Sequence, residues 1–136
     1  APALKVQSPV ARAVARSGRR LWRGATARWI HKESTDLEDD AVRAESPILP
    51  RYPLGRLLDF LELQRDTWPL LPLVECPALI IGSPREHVVD FKGVERLHQA
   101  LPKSRLVVAQ RGFHILPRDR DRALVCHEVC DFVDSL

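Results

Sequence analysis

The chain has 136 residues, of which 45% are hydrophobic and 29% are charged, and its net charge is +3. This length and composition are typical of one globular domain and exclude a chain that is disordered throughout, because such chains bury too little apolar surface to fold. No run of about 18 apolar residues occurs, so the sequence predicts no transmembrane helix within these residues.

The N-terminal part predicts an amphipathic helix. Its apolar residues recur at the spacings of one helix face: Val10, Val14, Leu21, Trp22, Ala25 and Trp29. Every charged side chain from Lys5 to Lys32 is basic, and an acidic run follows at Glu33, Asp36, Glu38, Asp39 and Asp40. Such a basic stripe with interleaved tryptophans suits contact with a nucleic acid or an anionic membrane, and it equally suits a lid over an apolar pocket.

The middle of the chain predicts a loop and a second amphipathic helix. Closely spaced prolines indicate the loop, because proline biases its predecessor out of the helical region: Pro47, Pro50 and Pro53. The helix begins at Leu54, presents Leu57, Leu58 and Leu61 on one face, and ends before Pro69.

The last part of the chain alternates strands and helices. PALIIGS (77–83) and RLVVA (105–109) are short apolar runs typical of strands that are buried on both faces. A helix lies between them, marked by Val94, Leu97 and Leu101. A final helix has Asp119 and Asp121 in its first turn, where carboxylates favour the positive end of the dipole. Its predicted buried stripe is Val125, Val129, Phe132, Val133 and Leu136.

This order of elements predicts an α/β fold with parallel strands, whose carboxyl ends meet at one edge of the sheet. Glu86, His87 and Asp90 follow the first strand in SPREHVVD, and His114 follows the second in QRGFHILPRD. We therefore expect a carboxylate and an imidazole to face each other. That pair is the orienting half of a catalytic triad, in which the acid holds the imidazole that moves the proton.

These stretches make the sequence resemble the C-terminal half of an alpha/beta-hydrolase, in particular of the monoacylglycerol lipase, lysophospholipase and carboxylesterase branch. The resemblance rests on CPALIIGSPREHVVDF and RGFHILPRD, and it extends upstream to RYPLGRLLDFLEL and LPLVECP. It implies that residues 1–68 form a helical lid or cap region. Residues 69–136 then supply the last two parallel strands of the hydrolase core with their helices.

The resemblance also implies site residues. His114 matches the general base, and Glu86 matches the triad acid 28 residues before it. The family usually has aspartate at the acid position, and this chain has one residue more between Gly82 and the acid. Asp90 is therefore an alternative acid, although the alignment of the HVV stretch favours Glu86. His87 is interpreted as a loop histidine beside the acid.

The nucleophile of such a triad is not evident in these residues. The family places its serine in a G-x-S-x-G elbow, and no G-x-S-x-G occurs in the chain. The family order of serine, acid and histidine puts that elbow before Ala1, and the chain contains no methionine. We therefore expect a fragment of a longer protein that is inactive and marginally stable alone.

The cysteines predict neither a disulfide framework nor a metal site. The chain has an odd number of cysteines: Cys76, Cys126 and Cys130. They fit a reducing, cytoplasmic location, and we expect them to be buried thiols. Cys126, His127 and Cys130 lack an evident fourth ligand, which argues against a zinc site. No metal and no cofactor are expected.

The favoured function is a serine hydrolase that cleaves esters with an apolar acyl group, with a small-molecule or lipid ester as substrate. The basic lid could then contact an anionic membrane, and nucleic acid is not favoured. Two alternatives stay open. One is a non-catalytic module whose basic N-terminal helix binds nucleic acid or an anionic membrane, and the other is a degenerate hydrolase.

Overall fold

A computed structural model describes residues 28–31, 37–46 and 51–136 of the chain. Most of the predicted N-terminal amphipathic helix, with its basic stripe, lies outside these residues. The described end of that segment is a strand: β1 (Trp29–His31) pairs antiparallel with β2 (Arg51–Pro53). The inclusion of Trp29 in a helix was therefore wrong. Trp29 lies opposite Pro53, and the guanidinium of Arg51 lies 5.3 Å from the centre of its ring.

One helix precedes β2 in the chain and another follows it. The last residue of the acidic run begins the short helix α1 (Asp40–Glu45), which Asp39 caps by accepting hydrogen bonds from the N–H groups of Ala41 and Val42. The predicted amphipathic helix is confirmed as α2 (Leu54–Thr67). Its buried face includes the leucines Leu54, Leu57 and Leu58. A 3₁₀ helix (Trp68–Leu73) continues it, with Pro69 in the first turn, where no intrahelical donor is needed.

Both predicted strands are confirmed and lie side by side. β3 (Ala78–Gly82) pairs in parallel with β4 (Ser104–Val108), so that Ala78 lies opposite Ser104 and Gly82 lies opposite Val108. The helix between them, α3 (Phe91–Ala100), contacts both strands, and α4 (Arg122–Asp134) follows β4. The α/β fold class is confirmed. A Cβ at Gly82 would come within 2.9 Å of Val94 on α3, so glycine permits this close packing.

Burial is shallower than the sequence predicted. Four of the five residues of β3 are half-buried, and Val108 in β4 is exposed. In the predicted stripe of α4 only Val125 is buried, whereas Val129, Val133 and Leu136 are exposed. Parallel strands become fully buried only when layers cover both faces. The described parallel sheet has only two strands, so the apolar runs predicted strands correctly but overestimated their burial.

Candidate active site

The candidate site lies where the two parallel strands end. The N–H of Ala109 donates to the carbonyl of Gly82 at 2.8 Å, which extends the pairing one residue beyond β4. The chain then leaves the sheet in two loops, residues 83–90 after β3 and residues 109–121 after β4. We call them the acid loop and the histidine loop. Because the strands are parallel neighbours, both loops lie at the same edge of the sheet.

The structure brings Glu86 and His114 into contact. The Oε1 atom of Glu86 is hydrogen-bonded to Nδ1 of His114, and it also accepts the N–H of Val89 at 3.1 Å. The side chain of Glu86 is 8% exposed and that of His114 is 41% exposed. A carboxylate only accepts hydrogen bonds, so in its presence the neutral imidazole carries its proton on Nδ1. This arrangement fixes the ring and leaves Nε2 as the basic nitrogen.

Other candidates from the sequence have different local partners. Asp90 is the N-cap of α3 and accepts the N–H of Lys92 at 3.3 Å. The ring of His87 packs on that of Phe113, with centroids 4.5 Å apart and planes inclined by 59°. His87 therefore lies between the two loops as a packing residue, next to the acid.

Ser83 connects the two loops and is not a candidate nucleophile. Its side chain is 1% exposed. Its hydroxyl donates to the carbonyl of Gly112 at 3.0 Å and accepts the N–H of Arg85 at 3.2 Å. A buried hydroxyl with these partners stabilises the loops and cannot approach a substrate.

Asp119 has a role that the sequence did not predict. It was expected in the first turn of the last helix, but α4 begins at Arg122. Asp119 is 1% exposed, and its carboxylate accepts four backbone N–H groups, those of Phe113 (2.7 Å), Glu38 (2.8 Å), Asp39 (2.9 Å) and Arg120 (2.9 Å). Burial raises the pKa of Asp119, but these donors together outweigh it and hold that pKa below its ordinary value.

Glu38 is the second residue that sequence reasoning missed. Its Oε2 accepts the N–H of Gly112 at 2.8 Å, and it pairs with Arg85 Nη1 at 2.8 Å. The N–H of Gly112 lowers the pKa of Glu38 most, and Arg85 and Arg120 lower it further against the opposing effect of burial. The contacts that join Glu38 to Arg85, to Gly112 and to Asp119 carry no local signal, because they span 47 to 81 residues of the sequence.

Gly112 adopts a conformation that disfavours other residues. Its φ is +74°, and a Cβ there would lie 3.2 Å from the carboxylate of Asp119. We expect Gly112→Ala to lower the free energy of unfolding by about 2 kcal/mol, because the left-handed backbone is strained for alanine and the contact is tight. Urea denaturation measures this. Gly55→Ala in α2 is the control and is expected to cause no loss, because alanine favours helices.

The cysteines differ from the prediction of buried thiols. Cys76, Cys126 and Cys130 are all exposed and free. On α4 the buried residue is Val125, whereas Cys126 and Cys130 are exposed on the same helix. His127 pairs with Asp131 at 3.2 Å on the same helix. Among the described residues, no three potential metal-binding side chains cluster together.

The remaining sequence predictions concern the N-terminal segment. The basic stripe from Arg12 to Arg28, with its proposed contact to a nucleic acid or a membrane, lies outside the described residues except for Arg28. Within the described ranges, no helix combines the length and the apolar content that a membrane span requires.

Solved structures of lipolytic enzymes resemble this chain. One of the metagenome-derived lipolytic enzymes LipS and LipT matches 97% of the chain with a TM-score of 0.77 at 23% identity. A monoglyceride lipase from Saccharomyces cerevisiae matches 98% with a TM-score of 0.72 at 14% identity. A monoacylglycerol lipase from Paleococcus ferrophilus matches 90% with a TM-score of 0.66 at 13% identity. No protein-family model and no curated protein matches the chain.

The chain spans about half the length of these structures, which is 51%, 52% and 50% of the three. At such identities the likeness shows the fold alone. It confirms the predicted α/β-hydrolase fold, of which the chain is one part.

Proposed function

We propose that this chain, which has the fold of part of an α/β-hydrolase, supplies the base and the acid of a serine ester hydrolase. The observation that carries the proposal is the hydrogen bond between Glu86 and Nδ1 of His114 at the carboxyl ends of two parallel strands. It supplies the orienting acid and the oriented base that this chemistry requires. The triad serine lies in a part of the protein outside these 136 residues.

The mechanism follows from the orientation of the imidazole. Nε2 of His114 takes the proton of the serine hydroxyl as its oxygen attacks the ester carbonyl, and Glu86 stabilises the imidazolium that forms. The imidazolium then gives the proton to the leaving alcohol as the carbon–oxygen bond breaks. Water repeats both steps on the acyl-enzyme and releases the acid.

The substrate class is inferred from the solved structures that resemble the chain. They are described as lipolytic enzymes and monoacylglycerol or monoglyceride lipases, which supports an ester with an apolar acyl group. Contact of the basic N-terminal segment with an anionic membrane belongs to the same proposal. The exposed free thiols support a reducing location such as the cytoplasm.

The test uses the complete protein that contains this chain. Incubation with a fluorophosphonate should label one serine outside residues 1–136, and p-nitrophenyl esters of rising acyl length should be hydrolysed. Labelling should be lost after heat denaturation. Absence of both labelling and turnover in the folded protein would contradict the proposal and favour the degenerate hydrolase or the binding module.

The identity of the acid is a separate prediction. We expect Glu86→Gln to lower kcat by about 10³-fold, because the amide no longer stabilises the imidazolium or enforces its tautomer. Asp90→Asn should change kcat less than about 3-fold, because asparagine is an equally good N-cap for α3. Steady-state kinetics on the two amide variants decide between them. The reverse order of effects would make Asp90 the acid.

A further inference from the structure

We propose that Glu38 is a positioning residue that holds the acid loop and the histidine loop in register, so that Glu86 and His114 keep their contact. This proposal rests on the proposed function, since the register matters for catalysis through His114. Glu38 lies in neither loop, and it precedes α1 in the chain. Its carboxylate nevertheless contacts both loops.

The contacts of Glu38 are adjacent to the two candidate catalytic residues. Arg85, which pairs with Glu38 at 2.8 Å, is the residue before Glu86. Gly112, whose N–H donates to Glu38 at 2.8 Å, lies two residues before His114. One carboxylate thus bridges the loop that carries the acid and the loop that carries the base. Each contact is charge-assisted, which makes it stronger than a neutral hydrogen bond.

The backbone around Glu38 is itself held in place by a buried carboxylate. Its backbone N–H and that of Asp39 donate to the buried carboxylate of Asp119, at 2.8 and 2.9 Å. Leu37, just before them, is fully buried. Asp119 also accepts the N–H of Phe113, the residue before His114. The segment 37–39 is therefore attached to the histidine loop through its backbone, and Glu38 extends from this fixed base to the acid loop.

A bridge of this kind has kinetic consequences because the contact of His114 with Glu86 depends on the two loops staying in register. Within this chain the side chain of His114 is 41% exposed, so packing by these residues alone fixes it less firmly than a core residue. A misplacement of about 1 Å in a catalytic group costs about 10²-fold in rate. Glu38 acts through the geometry of the pair and not through the substrate, so its loss should lower kcat and leave KM unchanged.

The test compares three variants of the complete protein, with kcat expressed per serine labelled by fluorophosphonate. Glu38→Ala should lower kcat by about 10-fold to 100-fold, with KM changed less than about 2-fold. Glu38→Gln should recover kcat to within about 5-fold of the unsubstituted protein, because its amide oxygen still accepts the N–H of Gly112 and a hydrogen bond from Arg85. Asp40→Ala is the matched control, since Asp40 is an exposed acid two residues further along the chain, at the start of α1, and pairs with Arg43. It should change kcat by less than about 2-fold.

The effects of Glu38→Ala and His114→Ala on turnover should be non-additive if Glu38 positions His114, and additive if Glu38 only supports the fold in general. In a His114→Ala background, the further change Glu38→Ala should alter the residual turnover by less than about 2-fold, because the group that it positions is gone. A full 10-fold effect in both backgrounds would overturn the proposal. An unchanged kcat in Glu38→Ala, with active unsubstituted protein, would also overturn it while leaving the hydrolase function intact.

Hydrogen exchange gives a readout that does not depend on turnover. Glu38→Ala should speed amide exchange in residues 110–116 about 10-fold relative to Asp40→Ala, because the N–H of Gly112 loses its acceptor. Unchanged exchange there would overturn the bridge. If the unsubstituted protein hydrolyses no ester but exchange still rises, the bridge stands and the hydrolase function fails.

Discussion

Replacement of His114 by alanine is expected to lower kcat for a p-nitrophenyl ester by about 10⁴-fold or more in the complete protein. The imidazole is the only proton carrier in the proposed mechanism, and removal of a triad base leaves the rate that binding and oxyanion stabilisation alone sustain. Its Nδ1 is held by Glu86, so Nε2 performs both transfers. Steady-state kinetics with the alanine variant measure the loss, and KM should change little.

The control for this variant is His127→Ala on α4. His127 is exposed, pairs with Asp131 and belongs to α4, outside the two loops in sequence. Its replacement should leave kcat within about 2-fold. Both variants should unfold at urea concentrations close to that of the unsubstituted protein, since neither removes a buried side chain. Turnover near normal in a folded His114→Ala protein would refute the assignment of the base.

The pairing of Glu86 with His114 could be anticipated because it needs only local patterns and one rule of topology. Short apolar runs identified β3 and β4, and parallel neighbours place their following loops together. The amphipathic pattern identified α2 in the same way, within one residue of its observed ends. The resemblance to α/β-hydrolases selected Glu86 among the acids near the first strand. None of this required knowledge of distant contacts.

The carboxylates that hold the loops could not be anticipated for the opposite reason. Asp119 looked like an acid of a helix first turn, and Glu38 looked like one charge in an acidic run. Their roles depend on contacts across 47 to 81 residues, for which the sequence has no periodic signal. The extent of burial along α4 was overestimated for a similar reason. An apolar stripe shows which face of a helix is apolar, but it does not show whether another element covers that face.

Asp119 should be the most important of these carboxylates for stability. We expect Asp119→Ala to lower the free energy of unfolding by about 4 kcal/mol, because four backbone N–H groups lose an acceptor in a buried place. Asp119→Asn should cost about 2 kcal/mol, since its amide keeps one oxygen but turns an NH₂ toward two of the donors. The control is Asp131→Asn, an exposed acid on α4, which should cost about 0.5 kcal/mol or less.

The same carboxylate should make stability depend on pH in a defined direction. The native pKa of Asp119 lies below its ordinary value of 3.8, because the four donors outweigh the effect of burial. A depressed native pKa means that the unfolded chain binds the proton more readily, so the stabilisation is complete above about pH 3.8 and is lost as the pH falls through the native pKa. Urea unfolding of the unsubstituted and Asp119→Asn forms of the complete protein at several pH values between 3 and 7 tests this. The difference between them should be constant above about pH 5 and should narrow below about pH 4, and a difference that widens on acidification would contradict it. Glu38, whose native pKa is also lowered, remains in the variant, so part of the acid sensitivity should persist there.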